Sequence, residues 1–377
     1  MHERHAVSED SSSKVQNSGR HYVDIPLVIF LGMILMLGLA MIYSTSSYRA
    51  LELYGDKLYF FKRQLVYMLL AISASVVVSE IDYRHYLRYA KLILIMSIAL
   101  QILVLVIGRA SHGSARWLYI GPIGFQPSEY AKLAITIYAA AYASLHSGQL
   151  FRLGFLIKTM SLPVLTIVLI GVENLSTAII CFGILCVVLF VGSPKVRHFV
   201  LIGVIGMIGC ALFILFAGYR ANRVKIWLAP EKYPDGYQTV QSLYAVGSGG
   251  LFGLGFGESI QKQGFIPESH NDMIFSVVCE ELGLVGACLI LAVFIALLYR
   301  MALIAMNASD RFGCYLVAGA MAHIAVQLLI NAGVVTNTIP PTGVPMPLIS
   351  YGGSSIIFIL IEMGIVMSVA KARTNTS

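Results

Sequence analysis

The sequence predicts an all-α integral membrane protein with ten transmembrane helices and a large extracytoplasmic loop between the seventh and the eighth. Of its 377 residues, 58% are hydrophobic and only 12% are charged, whereas a soluble domain carries about 25% charged residues. Apolar runs of about 20 residues, the length that crosses a bilayer, recur along the chain. The net charge of +7 fits basic cytoplasmic loops rather than a polyanionic partner. These observations argue against a soluble enzyme, a nucleic-acid-binding module and a disordered scaffold.

The two ends of the chain are polar. Residues 1–23 are predicted to form a disordered cytoplasmic tail. A cleaved signal peptide would have a shorter apolar core and a small-residue cleavage site soon after it. The uncharged run Ile25–Ile42 is long enough to cross the membrane, so we interpret it as an uncleaved first helix. The membrane domain is predicted to cover residues 24–371, and residues 372–377 form a second cytoplasmic tail.

Ten apolar segments define the predicted helices. They lie near residues 24–45, 64–80, 91–108, 128–145, 154–171, 175–192, 198–218, 271–299, 312–336 and 353–371. Pro163 within the fifth indicates a kink rather than a break. If the N-terminus is cytoplasmic, most basic residues of the connections fall on the cytoplasmic side. The even number of helices then returns the C-terminus to that side.

The loop 219–270 is too long and too aromatic to be a simple tether. Loops beyond about 12–15 residues are usually functional or disordered, and this one contains several Tyr and Phe residues and Trp227. We expect short helices and a glycine-rich turn that pack on the outer membrane face. The segment Gly247–Gly257 matches neither a Walker A nor a dinucleotide fingerprint, so it indicates close approach of two backbones or a hinge.

The sequence offers no obvious cofactor or metal site. Its six cysteines lie in or beside apolar runs, with no Cys-x-x-Cys pair and no Cys/His spacing typical of a metal site. We therefore predict no cofactor, although a divalent cation stays possible. No internal repeat is evident, which weakens the interpretation as a typical secondary transporter.

Ionisable and polar side chains within apolar spans are unfavourable in free energy, so they are candidates for function. In the fourth span, Glu129 lies near the helix start and Lys132 about one turn inside. An ion pair that only fixes helix packing is the alternative interpretation. In the ninth span, His323, Gln327 and Asn331 follow one another at four-residue spacing and form a polar stripe. Interhelical hydrogen bonding alone could explain that stripe.

The eighth span begins with Glu268, His270 and Asp272 at the predicted outer interface. A carboxylate shielded there by lipid and protein could have a raised pKa that suits a general base, whereas capping of the helix by Asn271 or Asp272 is the alternative. Just upstream, Arg220 and Arg223 lie one helical turn apart. They suit phosphate recognition, with contact to lipid headgroups as the alternative. These residues predict an outward-facing site for an anionic, partly lipidic ligand, and they do not choose between an enzyme and a transporter.

Five motifs together resemble the shape, elongation, division and sporulation (SEDS) family, the FtsW/RodA-type proteins of bacterial peptidoglycan assembly. The motifs are Gly124–Glu129, Tyr219–Arg223, Gly236–Gly250, Pro267–Asp272 followed by Glu280–Gly283, and Pro341–Ser355. The last of these overlaps the stiff proline-rich loop Pro340–Pro347, which has re-entrant character. The resemblance covers about residues 24–371, in order and with the ten-span layout of that family.

The resemblance implies a peptidoglycan glycosyltransferase of the bacterial cytoplasmic membrane, with its active site on the outer face. Asp272 would be the general base that activates an acceptor sugar hydroxyl. Lipid II would be polymerised into β-1,4 glycan strands in one inverting step that releases undecaprenyl pyrophosphate. The substrate-binding candidates are Arg220, Arg223, Gln238, Gln241, Ser242, Glu268, His270, Lys132 and Ser350. Further structural or functional candidates are Glu129, Glu281 and Asn331.

The resemblance also implies partners and leaves alternatives. The expected partners are lipid II, the nascent glycan strand, a class B penicillin-binding protein transpeptidase, and other membrane proteins of the divisome or elongasome. A division role is favoured over elongation, and a sporulation role is possible. A lipid II flippase or a non-catalytic scaffold for a transpeptidase are the alternative functions.

The chain departs from the family pattern at three places. Asn174, beside Glu173, stands where the family commonly has the Asp that would pair with Lys132, so the partner of Lys132 is open. Leu254 replaces a usual Lys in the glycine-rich loop, and Asn271 replaces the usual Thr before Asp272.

Overall fold

The structure is a computed structural model that describes residues 23–111, 114–120, 123–149, 153–193 and 218–374, with a few single positions between 197 and 209. The predicted N-terminal tail, apart from its last residue, lies outside the described residues. So do most of the predicted seventh span, 198–218, and the last three residues of the chain.

The described part of the chain is mostly helical. Its helices are α1 Ile25–Tyr54, α2 Tyr59–Glu80, α3 Arg84–Ile107, α4 Pro127–Leu145, α5 Leu153–Glu173, α6 Leu175–Gly192, α7 Gly218–Leu228, α8 Tyr237–Ser248, α9 Ile274–Met306, α10 Arg311–Val335 and α11 Gly353–Thr374. Seven of them, α1, α2, α3, α6, α9, α10 and α11, are long and apolar enough to cross a membrane. A helix lies at each predicted span within the described residues, so the apolar runs located the helices correctly.

Local signals in the sequence explain several helix ends. The carboxylate of Asp24 accepts a hydrogen bond from the Leu27 N–H and caps α1. Gly55 ends α1 in the left-handed conformation, with φ of 69°. The side chain of Asn174 accepts from the Thr177 N–H at 3.2 Å and caps α6. Asn174 thus separates α5 from α6, where the family pattern has an Asp.

The connection between α3 and α4 contradicts the prediction of an all-α fold. It contains three antiparallel strands, β1 Arg109–Ser111, β2 Ser114–Ile120 and β3 Ile123–Phe125, in the order β1-β2-β3. Strand β2 contains Trp117 and Tyr119, and aromatic residues favour strands. Strands this short are hidden in a sequence dominated by apolar helices.

The long segment before α9 contains short helices and a glycine-rich turn, as predicted. Helix α7 is followed by two 3₁₀ turns, Pro230–Lys232 and Pro234–Gly236, and then by α8. The glycine-rich turn comes after α8 and packs directly on α9. Which face of a membrane this segment lies on stays a prediction.

Backbone hydrogen bonds join the glycine-rich turn to α9. The N–H groups of Leu254 and Gly255 donate to the carbonyls of Glu280 and Glu281 at 2.9 and 3.0 Å. The N–H group of Leu284 donates to the Gly250 carbonyl at 3.0 Å. Gly283 has a φ of 68° and interrupts α9 at this contact. A Cβ at Gly283 would lie 2.3 Å from the Gly253 nitrogen, so the predicted close approach of two backbones is confirmed.

Helices α4 and α10 form the centre of the bundle, because most of their residues are buried. The buried set includes polar side chains at Glu129, Lys132, His323, Gln327 and Asn331. The segment that follows α10 packs tightly on α1, since a Cβ at Gly38 would lie only 2.7 Å from the Leu348 carbonyl oxygen. The segment just after the proline-rich loop is therefore anchored on α1.

Candidate active site

Asp272 lies in the turn that immediately precedes α9. Its Oδ1 atom is buried and has no hydrogen-bond partner within the described part of the chain. Its Oδ2 atom faces the proline-rich loop, because a Cβ placed on Gly343 would lie 3.8 Å from it. The first turn of α9 has no side-chain cap, and its N-cap residue is Met273. The alternative that Asn271 or Asp272 caps the helix is therefore wrong.

The surroundings of Asp272 favour its protonated form. Burial removes water from the carboxylate, and the negative charge of Glu268 adds repulsion; together they raise the pKa of Asp272 to about 7. Backbone N–H groups and the charge of Arg223 offset part of this effect on the pKa. A carboxylate with a pKa near 7 and an unpaired oxygen is suited to accept a proton from a substrate hydroxyl.

Asn331 holds Asp272 and the proline-rich loop together. Its side-chain nitrogen donates to the Asp272 carbonyl at 2.7 Å and to the Val344 carbonyl at 2.9 Å. One residue of α10 therefore fixes the backbone that carries the carboxylate and the loop that faces it. The Oδ1 atom of Asn331 is buried without a hydrogen-bond partner among the described residues.

Three further side chains support the proline-rich loop. The Gln327 amide donates to the Pro345 carbonyl at 3.0 Å. A guanidinium nitrogen of Arg223 donates to the Pro341 carbonyl at 3.2 Å, and the Ser176 hydroxyl donates to the Thr342 carbonyl at 3.2 Å. Helices α6, α7 and α10 thus all hold the proline-rich loop, whose Gly343 faces Asp272 Oδ2.

Lys132 finds its partners on its own helix and on α10. Its Nζ atom is 2.9 Å from Glu129 Oε1 and donates to Gln327 Oε1 at 2.9 Å. The missing Asp at position 174 is therefore replaced by Glu129 and an amide, not by Glu173. Because Gln327 also binds the proline-rich loop, Lys132 supports that loop through one intermediate residue. Its buried ion pair fits the interpretation as a packing contact.

The polar stripe of α10 continues to α11. The His323 ring contacts Gln327 Oε1 through Nε2 at 3.0 Å and the Glu362 carboxylate through Nδ1 at 2.7 Å. All three side chains are buried. Interhelical hydrogen bonding thus accounts for His323 and Gln327.

The structure describes the side chain of Arg223 but not that of Arg220. Arg223 is exposed, and its charge acts on Asp272. The backbone of Arg220 lies in α7, but its side chain is outside the described residues. The predicted pair of guanidinium groups is therefore represented at the site by Arg223.

The candidates on α8 fall into two kinds. Ser242 is buried, and its hydroxyl donates to the Val335 carbonyl at 3.2 Å, which ties α8 to α10. Gln238 and Gln241 are half-buried and lie about one turn apart on α8. They stay candidates for substrate contact.

Glu268 and His270 have different surroundings. The Asn271 side chain donates to the Glu268 carboxylate, which lies close enough to Asp272 to affect its pKa. The buried His270 ring packs on Phe60 with ring centroids 4.4 Å apart. Burial lowers the pKa of His270 to about 4, with a smaller effect of the same sign from the charge of Arg49, so the ring is neutral at physiological pH. His270 is therefore a packing residue between α2 and the turn before α9.

Ser350 closes the far end of the proline-rich loop. Its hydroxyl accepts from the Met346 N–H at 2.8 Å, and its own N–H donates to the Met346 carbonyl at 3.1 Å. The next residue, Tyr351, donates its N–H to the His270 carbonyl at 2.9 Å. Ser350 therefore shapes the loop that faces Asp272.

Lys262 is a buried basic residue that the sequence motifs did not single out. Its Nζ atom lies 2.7 Å from Glu281 Oε1 and 2.8 Å from the Ser44 hydroxyl, and both ionic groups are buried. The neighbouring Glu280 accepts hydrogen bonds from the Ser259 hydroxyl and the Ile260 N–H. Two adjacent carboxylates inside an apolar helix need partners. Glu280 and Glu281 are therefore the feature of the sequence that indicates a buried basic residue nearby.

The described residues contain no group of three or more His, Cys, Asp or Glu side chains that could hold a metal ion.

The sequence is similar to characterised families along almost its whole length. The profile of the family described as "Cell cycle protein", covering FtsW, RodA and SpoVE, matches residues 25–375. Stage V sporulation protein E of Bacillus subtilis is 37% identical over 354 residues, which cover 92% of this chain and 97% of that protein. A protein of Geobacter metallireducens named probable peptidoglycan glycosyltransferase FtsW is 36% identical over 366 residues, covering 94% and 96%.

Solved structures share the fold. A chain from a structure described as "Structural coordination of polymerization and crosslinking by a peptidoglycan synthase complex" superposes with a TM-score of 0.77 at 26% identity, covering 93% of this chain and 98% of that one. The crystal structure of the rod shape determining protein RodA of Thermus thermophilus superposes with a TM-score of 0.71 at 26% identity, covering 93% and 97%.

Proposed function

Because this chain belongs to the FtsW/RodA/SpoVE family of cell cycle proteins, we propose that it is a peptidoglycan glycosyltransferase that polymerises lipid II with Asp272 as the general base. The observation that carries the assignment of Asp272 is its unpaired, buried Oδ1 atom beneath the proline-rich loop. Glu129, Glu281 and Glu362 also have one buried oxygen without a partner, but the other oxygen of each is paired with a basic side chain. Asp272 has no ion-pair partner among the described residues, and an unsatisfied buried acceptor costs about 1–3 kcal/mol.

The reaction balances as a single displacement. Asp272 removes the proton from the acceptor sugar hydroxyl while the hydroxyl oxygen bonds to the anomeric carbon of the donor. The bond from that carbon to the pyrophosphate breaks, and undecaprenyl pyrophosphate leaves with the electron pair. Attack opposite the leaving group converts the α-linked donor into a β-1,4 linkage. The protonated Asp272 then returns its proton to water.

Arg223 is placed to assist the leaving group. Its guanidinium is exposed, uses one nitrogen on the Pro341 carbonyl and carries a positive charge next to Asp272. Arginine suits pyrophosphate because its planar group can donate several hydrogen bonds to phosphate oxygens. Positive charge where negative charge develops stabilises the transition state.

Asp272 is proposed to lie at the extracytoplasmic end of a ten-helix bundle whose termini are cytoplasmic. Asp24, at the start of α1, is paired with Arg300 near the end of α9 at 2.7 Å. Asp272 precedes the start of α9, so the two aspartates lie at opposite ends of that helix. The Asp24 end also holds the basic residues Arg84 and Lys371, and an excess of Lys and Arg is typical of the cytoplasmic side.

A transpeptidase of the class B penicillin-binding protein type is the proposed partner, with a division role ahead of elongation or sporulation. The structural likeness to a chain of a peptidoglycan synthase complex supports the partnership. Septal or side-wall localisation of a fluorescent fusion separates a division role from an elongation role.

A polymerisation assay tests the role of Asp272. Purified wild-type protein with its transpeptidase partner should convert lipid II to glycan strands, and Asp272→Asn should lose about 100-fold or more of the rate, since general-base catalysis contributes about 10²–10⁴-fold. Ser73→Ala on exposed α2 is the matched control. Strands formed by Asp272→Asn at the wild-type rate would contradict the proposal. Translocation of lipid II across a vesicle membrane by both proteins would favour the flippase. Against that alternative, the buried polar side chains around Lys132 are paired with one another rather than left open to a substrate.

A further inference from the structure

A cavity lies beside the segment that carries Asp272. It has a volume of about 760 Å³ and opens between the last turns of α1, the turn from α1 to α2, and the end of the glycine-rich turn. Its walls include Tyr43, Ser44, Ser47, Lys57, Phe256 and Lys262. Pockets of about 300–1,000 Å³ typically hold small-molecule ligands. The cavity is therefore large enough for a ligand of that class.

The cavity lies at the same end of the bundle as Asp272. The Ser269 hydroxyl donates to the Thr45 carbonyl at 3.1 Å. Thr45 lies between the wall residues Ser44 and Ser47, and Ser269 is three residues before Asp272. Asp272 itself and the residues placed around it do not line the cavity. A ligand here would be a neighbour of the reacting groups without occupying their space.

The walls combine hydroxyl groups with exposed aromatic rings. Tyr43 is 49% exposed and Phe256 is 50% exposed. The Ser44 oxygen already accepts from Lys262 and donates to Glu281, so it is held in place. Aromatic faces flanked by a few fixed polar groups suit a ligand that has both apolar C–H faces and hydroxyl or amide edges. A saccharide has that chemistry.

The charges around the cavity nearly cancel. Lys262 is neutralised by Glu281 at 2.7 Å, and Asp56 is neutralised by Lys62 at 2.9 Å. Lys57 is exposed and makes no ion pair with any described residue, so it contributes one positive charge at the rim. A largely neutral wall with one ammonium group fits a sugar chain that carries carboxylates better than a pyrophosphate.

We propose that this cavity is a second saccharide site, which holds the carboxylate-bearing glycan strand while the donor at Asp272 is exchanged. The inference rests on the proposed polymerase function and adds where the strand is held. A polymerase that extends one strand through many additions needs a strand contact that persists after the leaving group departs. A site beside Asp272 provides that contact without blocking entry of the next donor.

Two leucines of α1 provide a matched test. Leu51 lines the cavity and is 46% exposed, whereas Leu53 is 53% exposed and does not line it. Leu51→Trp should therefore fill the cavity, and Leu53→Trp should add the same side chain outside it. The probe is a soluble peptidoglycan tetrasaccharide with its stem peptides, titrated calorimetrically into the purified full-length protein.

Wild-type protein should bind the tetrasaccharide, Leu51→Trp should weaken the affinity at least tenfold, and Leu53→Trp should change it less than twofold. Tyr43→Ala should also weaken binding, which keeps the proposal testable if Leu51→Trp does not fold. Lys57→Met should reduce the preference for this probe over an uncharged N-acetylglucosamine tetrasaccharide.

Several results would overturn the proposal: no binding by the wild-type protein, equal loss in both tryptophan variants, or a phospholipid bound in place of the saccharide. Asp272→Asn separates the two hypotheses, because it should lose polymerisation and still bind the probe. Full polymerisation by Asp272→Asn would refute the role of Asp272 as general base. Loss of binding in Leu51→Trp in the same set of experiments would still support the saccharide site.

Discussion

Replacing Lys262 by Met should destabilise the protein strongly, because it leaves a carboxylate buried without its counterion. The Glu281 side chain is fully buried and lies 2.7 Å from Lys262 Nζ. Breaking a buried ion pair by removing one partner typically costs about 3–5 kcal/mol. The second oxygen of Glu281 already has no hydrogen-bond partner among the described residues, so after the loss of Lys262 only the Ser44 hydroxyl would stabilise the charge.

A more exposed pair of similar length provides the control. Lys371 Nζ lies 2.6 Å from Glu80, and the two side chains are 18% and 53% exposed. Such pairs contribute about 0–1 kcal/mol, so Lys371→Met should have a small effect on stability. Similar distances with different burial isolate desolvation as the cause.

The double variant Lys262→Met/Glu281→Gln should recover at least half of the loss, because it removes the uncompensated charge and keeps an acceptor for Ser44. Thermal unfolding of the four proteins in detergent, followed by intrinsic fluorescence, measures the order of stability. Equal melting temperatures for Lys262→Met and Lys371→Met, or a double variant less stable than Lys262→Met, would refute the reasoning.

Three further predictions concern the site and its support. The polymerisation rate should fall as the pH drops through about 7, the pKa of Asp272, because the base must be ionised. Glu268→Gln should move the midpoint of the pH–rate profile to lower pH, since removing a neighbouring negative charge lowers that pKa. An unmoved midpoint would contradict this. Asn331→Ala leaves two carbonyls without their hydrogen-bond donor, and each unsatisfied carbonyl costs about 1–3 kcal/mol. The maximal rate should therefore fall about tenfold or more, while the midpoint of the pH–rate profile stays near that of the wild type. An undiminished rate in steady-state kinetics would exclude a positioning role. Gly283→Ala should prevent stable folding, because φ is 68° there and the new Cβ would meet the Gly253 backbone; a wild-type melting temperature would contradict the described contact.

The general base depends on its neighbours as much as on its own position. Burial and Glu268 act in the same direction on the pKa of Asp272, whereas Arg223 opposes them. The balance leaves a carboxylate that is partly ionised near pH 7 and can exchange protons during turnover. If either burial or Glu268 were absent, Asp272 would be a weaker base with a pKa closer to that of a free aspartate.

The helices could be predicted from sequence because the signal for them is local. A run of about 20 apolar residues must cross or line an apolar medium wherever it lies in the chain, and capping residues such as Asp24 and Asn174 act within one turn of themselves. The motif containing Asp272 could be recognised for a similar reason, since its residues are close in sequence. The weak strand signal of Ser114–Ile120 is local too, but it is masked by the apolar helices on either side.

The amino-acid sequence by itself determined where the helices lie, that polar groups inside them need partners, and which family the motifs resemble. The tertiary structure alone decided which distant partners those are. Lys132 donates to the Gln327 amide oxygen 195 positions away, and Lys262 reaches Ser44 across 218 positions. Such contacts depend on how helices pack, because one rotation or shift of a helix changes every neighbour of a buried side chain. The unpaired oxygen of Asp272 is a result of that packing.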